Sequence, residues 1–228
     1  KFLEKMLPYY YVALIVKTRI IAITNQKGGE GKTTTAINLA FGLAKKGKKT
    51  LLVDMDPQAN TTGLFSNPDT LEVTLYNVFS QGRPMKDAVI QTDEPNLWLA
   101  PSKITLAEVE SMGQNVDAPY ILRDALQSVG EYDFIIIDCP PSLSIFTINA
   151  LVASDGILIP VQTEYFALEG LAMLAGTIRE VRGLLNPRLG VDGVLLTMHA
   201  PTLLNQQVAS EVREAFPELI VEPAIRRN

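Results

Sequence analysis

The chain has 228 residues, a formal charge of −5 and a single cysteine, with 47% hydrophobic and 20% charged residues. This length and composition are typical of one globular domain. The negative charge excludes a uniformly basic nucleic-acid binder, so any DNA contact has to come from a local patch. One cysteine excludes an intramolecular disulfide and a four-cysteine metal site within one chain, and it suits a reducing cytoplasm. No apolar run approaches the ~20 residues of a membrane span.

The first segment, residues 1–18, contains the apolar run "LPYYYVALIV" without the features of a signal peptide, and we interpret it as an N-terminal extension. From there, short apolar runs rich in β-branched residues alternate with helical patterns. The predicted strands are "RIIAIT" (19–24), "TLLVDMD" (50–56), "LWLAPS" (97–102), "YDFIIIDCPPS" (132–142), "DGILIPVQ" (155–162) and "GVDGVLLTM" (190–198).

The predicted helices are "TTAINLAFGLAKKG" (34–47), "ITLAEVESM", "APYILRDALQSV" and "LEGLAMLAGTIREVRGLL" (168–185). Strand–helix alternation indicates parallel pairing with right-handed crossovers, and continuous apolar strands indicate a sheet covered on both faces. The sequence therefore predicts a doubly wound, mostly parallel α/β fold in a single domain over 19–228. We expect the polar segment 57–74 to be a flexible loop. The chain stops where a further strand is due, which indicates truncation at the C-terminus.

The stretch "NQKGGEGKTTT" (25–35) joins the first strand to the first helix. It approaches the phosphate-loop pattern G-x-x-x-x-G-K-[ST], except that Gln26 replaces the first glycine. Glycines let backbone N–H groups turn toward a phosphate, and a helix N-terminus adds favourable dipole charge. In this pattern Lys32 reaches the β- and γ-phosphates and the Thr33 hydroxyl binds Mg²⁺. The alternative is an ordinary glycine-rich turn.

Three aspartates stand at predicted strand ends. Asp138 ends the most apolar strand, where a carboxylate serves a Mg²⁺ site, and Asp54 and Asp56 end "LLVDMD", where a carboxylate orients an attacking water. Each aspartate alone is equally consistent with a helix cap. Their coincidence with the glycine loop favours a Mg²⁺-nucleotide site.

The motifs "KGGxGKTTT", "LLVDxDPQ", "YDFIIIDCPPS" and "PVQTEYFALEGL" together resemble the ParA/Soj family of chromosome and plasmid partitioning ATPases. This family belongs to the deviant Walker A group of phosphate-loop NTPases, with MinD and the nitrogenase iron protein. The resemblance implies an ATP- and Mg²⁺-dependent ATPase, cytoplasmic and nucleoid-associated. It also implies an ATP-dependent sandwich homodimer, nonspecific binding of double-stranded DNA, stimulation by a ParB-type protein, and no membrane partner.

The resemblance also assigns roles to residues. Lys27 matches the signature lysine that crosses to the partner subunit's nucleotide, Asp56 the water-positioning residue, and Asp138 the acceptor that contacts Mg²⁺ through water, with Asp54 in second rank. The implied nucleotide-binding residues are Lys27, Gly28, Gly29, Glu30, Gly31, Lys32, Thr33 and Thr34.

Glu30 departs from the family, which has a small apolar residue there. We expect its charge to weaken ATP affinity or sandwich closure, unless Lys27 offsets it or the side chain points to solvent. Arg226 and Arg227, in a segment resembling the family's "PRN", and Arg213 are candidate DNA contacts, although solvated surface arginines are the plainer interpretation.

Two further functions stay open. A MinD-like membrane-surface ATPase would need a basic amphipathic helix, which is not visible in the sequence. A nucleotide-binding module impaired in turnover by Glu30 is the other. An iron protein is excluded, because one cysteine per chain cannot hold a four-cysteine cluster even across a dimer.

Overall fold

The computed structural model of the protein describes residues 18–111 and 118–227, so the predicted N-terminal extension lies outside the described residues apart from Thr18. The strands of the described part, in chain order, are β1 (Arg19–Ile23), β2 (Thr50–Asp54), β3 (Ile90–Gln91), β4 (Leu97–Ala100), β5 (Phe134–Asp138), β6 (Gly156–Gln162), β7 (Gly190–Thr197) and β8 (Ile220–Val221).

The α-helices are α1 (Lys32–Lys45), α2 (Asn60–Phe65), α3 (Leu75–Gln81), α4 (Ile121–Leu126), α5 (Ile145–Ala153), α6 (Ala167–Leu184) and α7 (Leu203–Ala215). Short 3-10 helices cover Pro68–Thr70, Met85–Asp87, Ile104–Ser111 and Ala118–Tyr120.

The strands form one sheet in the order β3-β4-β2-β5-β1-β6-β7-β8. Pairing is parallel throughout, except that β3 runs antiparallel to β4. β1 lies at the centre, between β5 and β6, and Ile23 at its end is in register with Asp138 at the end of β5. Asp138 is in turn in register with Asp54 at the end of β2. The loop after β1 and both strand-end aspartates therefore meet at one edge of the sheet.

The two faces of the sheet are covered by different helices. On one face, Ala36, Ala40 and Ala44 of α1 pack against Ile136 of β5 and its neighbours on β1, β2 and β4. These alanines recur every four residues and form one stripe, and their small side chains let the helix lie close to the sheet. The larger cluster on the other face includes residues of α3, α4, α5, α6 and α7.

The predicted doubly wound, mostly parallel α/β fold is confirmed, and each predicted strand is present with ends shifted by up to four residues. The segment 57–74, predicted to be a flexible loop, instead contains α2 and a 3-10 helix. The predicted helix "ITLAEVESM" is a 3-10 helix. The sequence patterns had not indicated the short strands β3 and β8 or the helices α2, α3, α5 and α7.

Candidate functional site

The loop between β1 and α1 is shaped by two glycines with left-handed backbone conformations. Gly29 has φ of 80° and Gly31, which immediately precedes α1, has φ of 84°. Residues that carry a side chain rarely adopt this backbone conformation, so glycine is needed at both positions. No side chain of the described residues caps the first turn of α1. Its N–H groups therefore stay available to an anion, as a phosphate cradle requires.

Lys32 is the first residue of α1 and is buried in spite of its charge. Its Nζ donates a hydrogen bond of 2.9 Å to the backbone carbonyl of Lys27, which spans the loop from one side to the other. Burial lowers the pKa of Lys32, although four negative charges act to raise it, those of Asp138, Cys139, Asp56 and Glu30. A buried ammonium group needs a negative partner, and the phosphates of a nucleotide would supply one.

Asp138 ends β5 and is fully buried beside this loop. Its Oδ2 accepts a hydrogen bond of 2.7 Å from the Thr61 hydroxyl, whereas its Oδ1 is buried and has no hydrogen-bond partner within the described residues. Burial raises the pKa of the carboxyl to about 6, although the hydroxyls of Thr61 and Thr33 oppose this shift. A buried carboxylate oxygen without a donor, next to a threonine hydroxyl, fits a hydrated divalent cation, whose charge would also lower this pKa.

Asp54 and Asp56 behave differently, although both follow β2. Asp54 is fully buried: its Oδ2 accepts bonds from the backbone N–H and the hydroxyl of Thr62, at 2.8 and 2.7 Å. Burial and the charge of Asp138 raise the pKa of Asp54 to about 7. Its Oδ1 accepts the N–H of Asp56. Oδ2 therefore anchors α2 and Oδ1 holds the turn after β2, so both oxygens have donors, and the second-rank place of Asp54 at the metal stays a prediction.

Asp56 faces the open side of the site. Together with the phosphate loop it lines a cleft of about 310 Å³, and its Oδ1 accepts the N–H of Gln58 at 2.9 Å. The other residues lining the cleft are Gly28, Gly29, Gly31, Lys32, Thr33, Thr34, Asn60, Pro141 and Met198. A larger hollow of about 940 Å³ opens elsewhere, lined by residues such as Lys49 and Arg188, but it contains no part of the phosphate loop.

Lys27 and Glu30 lie together at the rim of the loop. The Glu30 carboxylate is 2% exposed and accepts a hydrogen bond from the backbone N–H of Gln162, so the alternative that it points to solvent is wrong. Lys27 Nζ lies 3.4 Å from Glu30 Oε1 and 3.1 Å from Glu164 Oε2. Both carboxylates belong to the same subunit as the lysine.

The three arginines proposed for DNA differ in their surroundings. Arg213 on α7 pairs with Glu222, with Nε and Nη2 at 3.0 and 2.8 Å from one carboxylate oxygen. Arg226 and Arg227 are exposed, on a segment that runs beside the end of β7, where His199 exchanges backbone hydrogen bonds with Ile225 and Arg227. The neutralised Arg213 is the weakest of the three candidates, since a DNA phosphate would have to displace Glu222.

Several residues that shape the site had no signal in the sequence. Thr61 and Thr62 bind the two buried aspartates, but they lie in a helix too short to show periodicity. Thr197 ends β7, and its hydroxyl donates a 2.9 Å bond to the carbonyl of Glu30. Met198 lines the cleft with positive φ. Only tertiary structure brings these positions to the loop.

Two features of the described residues, 18–111 and 118–227, bear on other kinds of site. No helix there is both long and apolar enough to cross a bilayer. No group of three or more His, Cys, Asp or Glu side chains in those residues could hold a metal ion by itself. A metal that needs few protein ligands, as Mg²⁺ does when it also binds phosphates and waters, remains compatible with the loop and Asp138.

Known proteins match this chain over most of its length. The AAA domain family model matches residues 18–191. The chromosome partitioning protein ParA of Caulobacter vibrioides is 47% identical over 216 residues, covering 92% of this chain and 81% of that protein. The sporulation initiation inhibitor protein Soj of Bacillus subtilis is 47% identical over 214 residues, covering 92% and 85%.

A solved structure shows the same fold. Cobyrinic acid a,c-diamide synthase from Mycobacterium smegmatis, with bound ATP analog and magnesium, is 36% identical and has a TM-score of 0.86, covering 92% of this chain and 88% of its own. The phosphate loop and the strand-end aspartates indicate the same family as these relatives. The chain belongs to the ParA/Soj family of partitioning ATPases.

Proposed function

We propose that this protein binds Mg-ATP, pairs with a second copy across the bound nucleotides, and hydrolyses ATP slowly in chromosome or plasmid partitioning. In this proposal the ATP-bound dimer binds double-stranded DNA without sequence preference, and DNA with a ParB-type protein stimulates turnover. The protein would act in the cytoplasm, on the nucleoid. Relatives named as partitioning proteins support this cellular role.

The observation that carries the enzymatic part is the buried Oδ1 of Asp138, which has no hydrogen-bond partner in the described part of the chain and lies near Thr33 and the buried Lys32. A cation and an anion together would satisfy these groups. Bound Mg²⁺ would supply positive charge that neutralises the negative charge developing on the phosphates. Thr33 and Asp138 are the residues that would hold it, Thr33 directly and Asp138 through water.

Backbone and side-chain groups of the cleft perform the remaining steps. The N–H groups of Gly29, Gly31 and the first turn of α1 bind phosphate oxygens, and Lys32 balances their charge. Asp56 orients the attacking water, because its carboxylate lines the cleft while Gln58 fixes one of its oxygens. Lys27 acts on the nucleotide of the second copy, as an arginine finger does.

The decisive experiment measures ATP turnover with and without DNA and a ParB-type protein, together with sedimentation in ATP and in ADP. We expect slow turnover that DNA and the partner stimulate jointly, and a dimer that forms in ATP only. Asp56→Ala is expected to keep the ATP-dependent dimer but lose turnover. A protein that binds ATP yet stays monomeric and inactive under all conditions would overturn the proposal in favour of a nucleotide-binding module.

A further inference from the structure

Four polar side chains form a closed cluster where the phosphate loop meets the end of β6. Lys27 Nζ contacts Glu164 Oε2 at 3.1 Å and Glu30 Oε1 at 3.4 Å. Gln162 joins the two carboxylates, since its backbone N–H binds Glu30 and its Nε2 donates to Glu164 Oε1 at 2.6 Å. The lysine therefore has a carboxylate on each side.

Glu30 is the fixed part of this cluster. Its side chain is 2% exposed, and its carboxylate is bound by the backbone of β6. Its own backbone carbonyl accepts the Thr197 hydroxyl at the end of β7. Because both ends of the residue are bound to strands, the carboxylate is turned away from the open cleft and toward Lys27. A valine at this position would leave Lys27 with Glu164 alone.

The two carboxylates of the cluster both raise the pKa of Lys27. Partial burial would lower its pKa, but the hydrogen bond from Lys27 to Glu164 and the charges of Glu30 and Glu164 outweigh burial and raise it. The Lys27 side chain is 37% exposed, so solvent screens these interactions in part. The contacts hold the amine in place without removing it from reach of a second subunit.

We propose that Glu30 and Glu164 are positioning residues that clamp Lys27 within its own subunit and oppose its delivery to the nucleotide of a second copy. This inference rests on the proposed sandwich dimer. In each subunit the lysine has to leave two carboxylates before it reaches the partner's phosphates. The clamp therefore biases the protein toward the monomer and affects association of two subunits more than nucleotide binding by one.

The dimer amplifies the effect of the clamp. A partly exposed ion pair changes an equilibrium by roughly two- to fivefold. Two lysines are released for each dimer that forms, so the effect per lysine enters the dissociation constant as its square. Loss of one carboxylate from each subunit is expected to tighten the ATP-dependent dimer by roughly 4- to 25-fold.

The test uses Glu30→Gln and Glu164→Gln, which keep the size of each side chain and an acceptor oxygen for Gln162 while removing the charge next to Lys27. Glu169→Gln is the matched control, because Glu169 is an exposed carboxylate in the first turn of α6 with no ion pair to Lys27 within the described residues. Circular dichroism confirms that each variant is folded. The exposed Glu164 supplies a safe variant should Glu30→Gln unfold the protein.

The first measurement is made without nucleotide and does not depend on dimerisation. Lys27 is acylated with a limiting amount of an amine reagent, and its rate is read by mass spectrometry relative to the other lysines. We expect Lys27 to react roughly two- to fivefold faster in both clamp variants and at the wild-type rate in the control. Equal rates in all proteins would overturn the clamp.

The second measurement is the dimer dissociation constant in Mg-ATP, by sedimentation, with ATP affinity from calorimetry. A tighter dimer together with an unchanged ATP affinity in Glu164→Gln supports the clamp. If the wild type dimerises and the variants have the same dimer dissociation constant, the clamp is overturned. If no protein dimerises in ATP, the proposed sandwich fails, while the acylation rates still decide whether Lys27 is clamped. The two failures are therefore distinguishable.

Discussion

The buried hydroxyl of Thr62 connects helix α2 to the end of β2 and to the segment that follows β4. It donates to Asp54 Oδ2 at 2.7 Å and accepts the backbone N–H of Ser102 at 2.8 Å. Thr62, Asp54 and Ser102 are all fully buried. Thr62→Val preserves the branched shape and removes the oxygen, so it deletes both hydrogen bonds with little change in packing.

The magnitude follows from what each group loses. A hydrogen bond to a carboxylate is worth about 1.5–3 kcal/mol, and a buried N–H left without an acceptor costs about 1–3 kcal/mol. We therefore expect Thr62→Val to lower the free energy of unfolding by about 3–5 kcal/mol. Since a domain is stable by about 5–15 kcal/mol, this is a large share of the total.

Urea unfolding is followed by circular dichroism and by the fluorescence of Trp98, which is the only tryptophan and lies half-buried on β4. The measurement is made at pH 8, above the pKa of about 7 for Asp54, so that the carboxylate is mainly ionised. Thr70→Val is the control, because its hydroxyl donates to the Asn67 carbonyl on the exposed surface. We expect a change under about 0.5 kcal/mol there. Equal losses in the two variants would refute the reasoning.

Two glycines and the cysteine give further predictions. Gly31→Ala forces alanine to a φ of 84°, which costs about 1–2 kcal/mol of conformational free energy. This variant should bind ATP more weakly in calorimetry. Gly42→Ala, exposed within α1, should instead stabilise the fold by about 0.5–1 kcal/mol in urea unfolding; the same sign of change in stability for both variants would contradict this account. Burial raises the pKa of the Cys139 thiol, which is 1% exposed, so Ellman's reagent should react at least ~100-fold more slowly in native than in urea-unfolded protein. Comparable rates would show that this core opens readily.

The strands were predictable because each central strand is buried on both faces and therefore reads as a continuous apolar run. β5 shows this directly, since Ile136 packs on one face of the sheet and Ile135 and Ile137 on the other. The missed helices lack such a local signal. α2 has six residues, and side-chain hydrogen bonds to strand ends hold it in place. α7 buries only Val208, Ala209 and Val212 among thirteen residues.

The candidate site was predictable in composition and only partly in geometry. Residue spacing placed the phosphate loop and Asp138 at one sheet edge, because the carboxyl ends of parallel strands meet there. Spacing could not separate Asp54 from Asp56, since both are aspartates after the same strand. Their surroundings differ because α2 folds back and places Thr62 against Asp54. That contact depends on tertiary packing alone.

Glu30 shows how a substitution in a binding loop can move its effect from one equilibrium to another. A carboxylate ~6 Å from a phosphate charge would weaken binding by about 1–4 kcal/mol at an effective dielectric near 20. The structure turns the Glu30 carboxylate onto the backbone of β6 and pairs it with Lys27, so much of that repulsion is offset before a nucleotide arrives. The lysine that provides this compensation, Lys27, is the residue that we propose acts on the nucleotide of the second subunit. The charge of Glu30 should therefore weaken association of two subunits more than it weakens ATP binding by one.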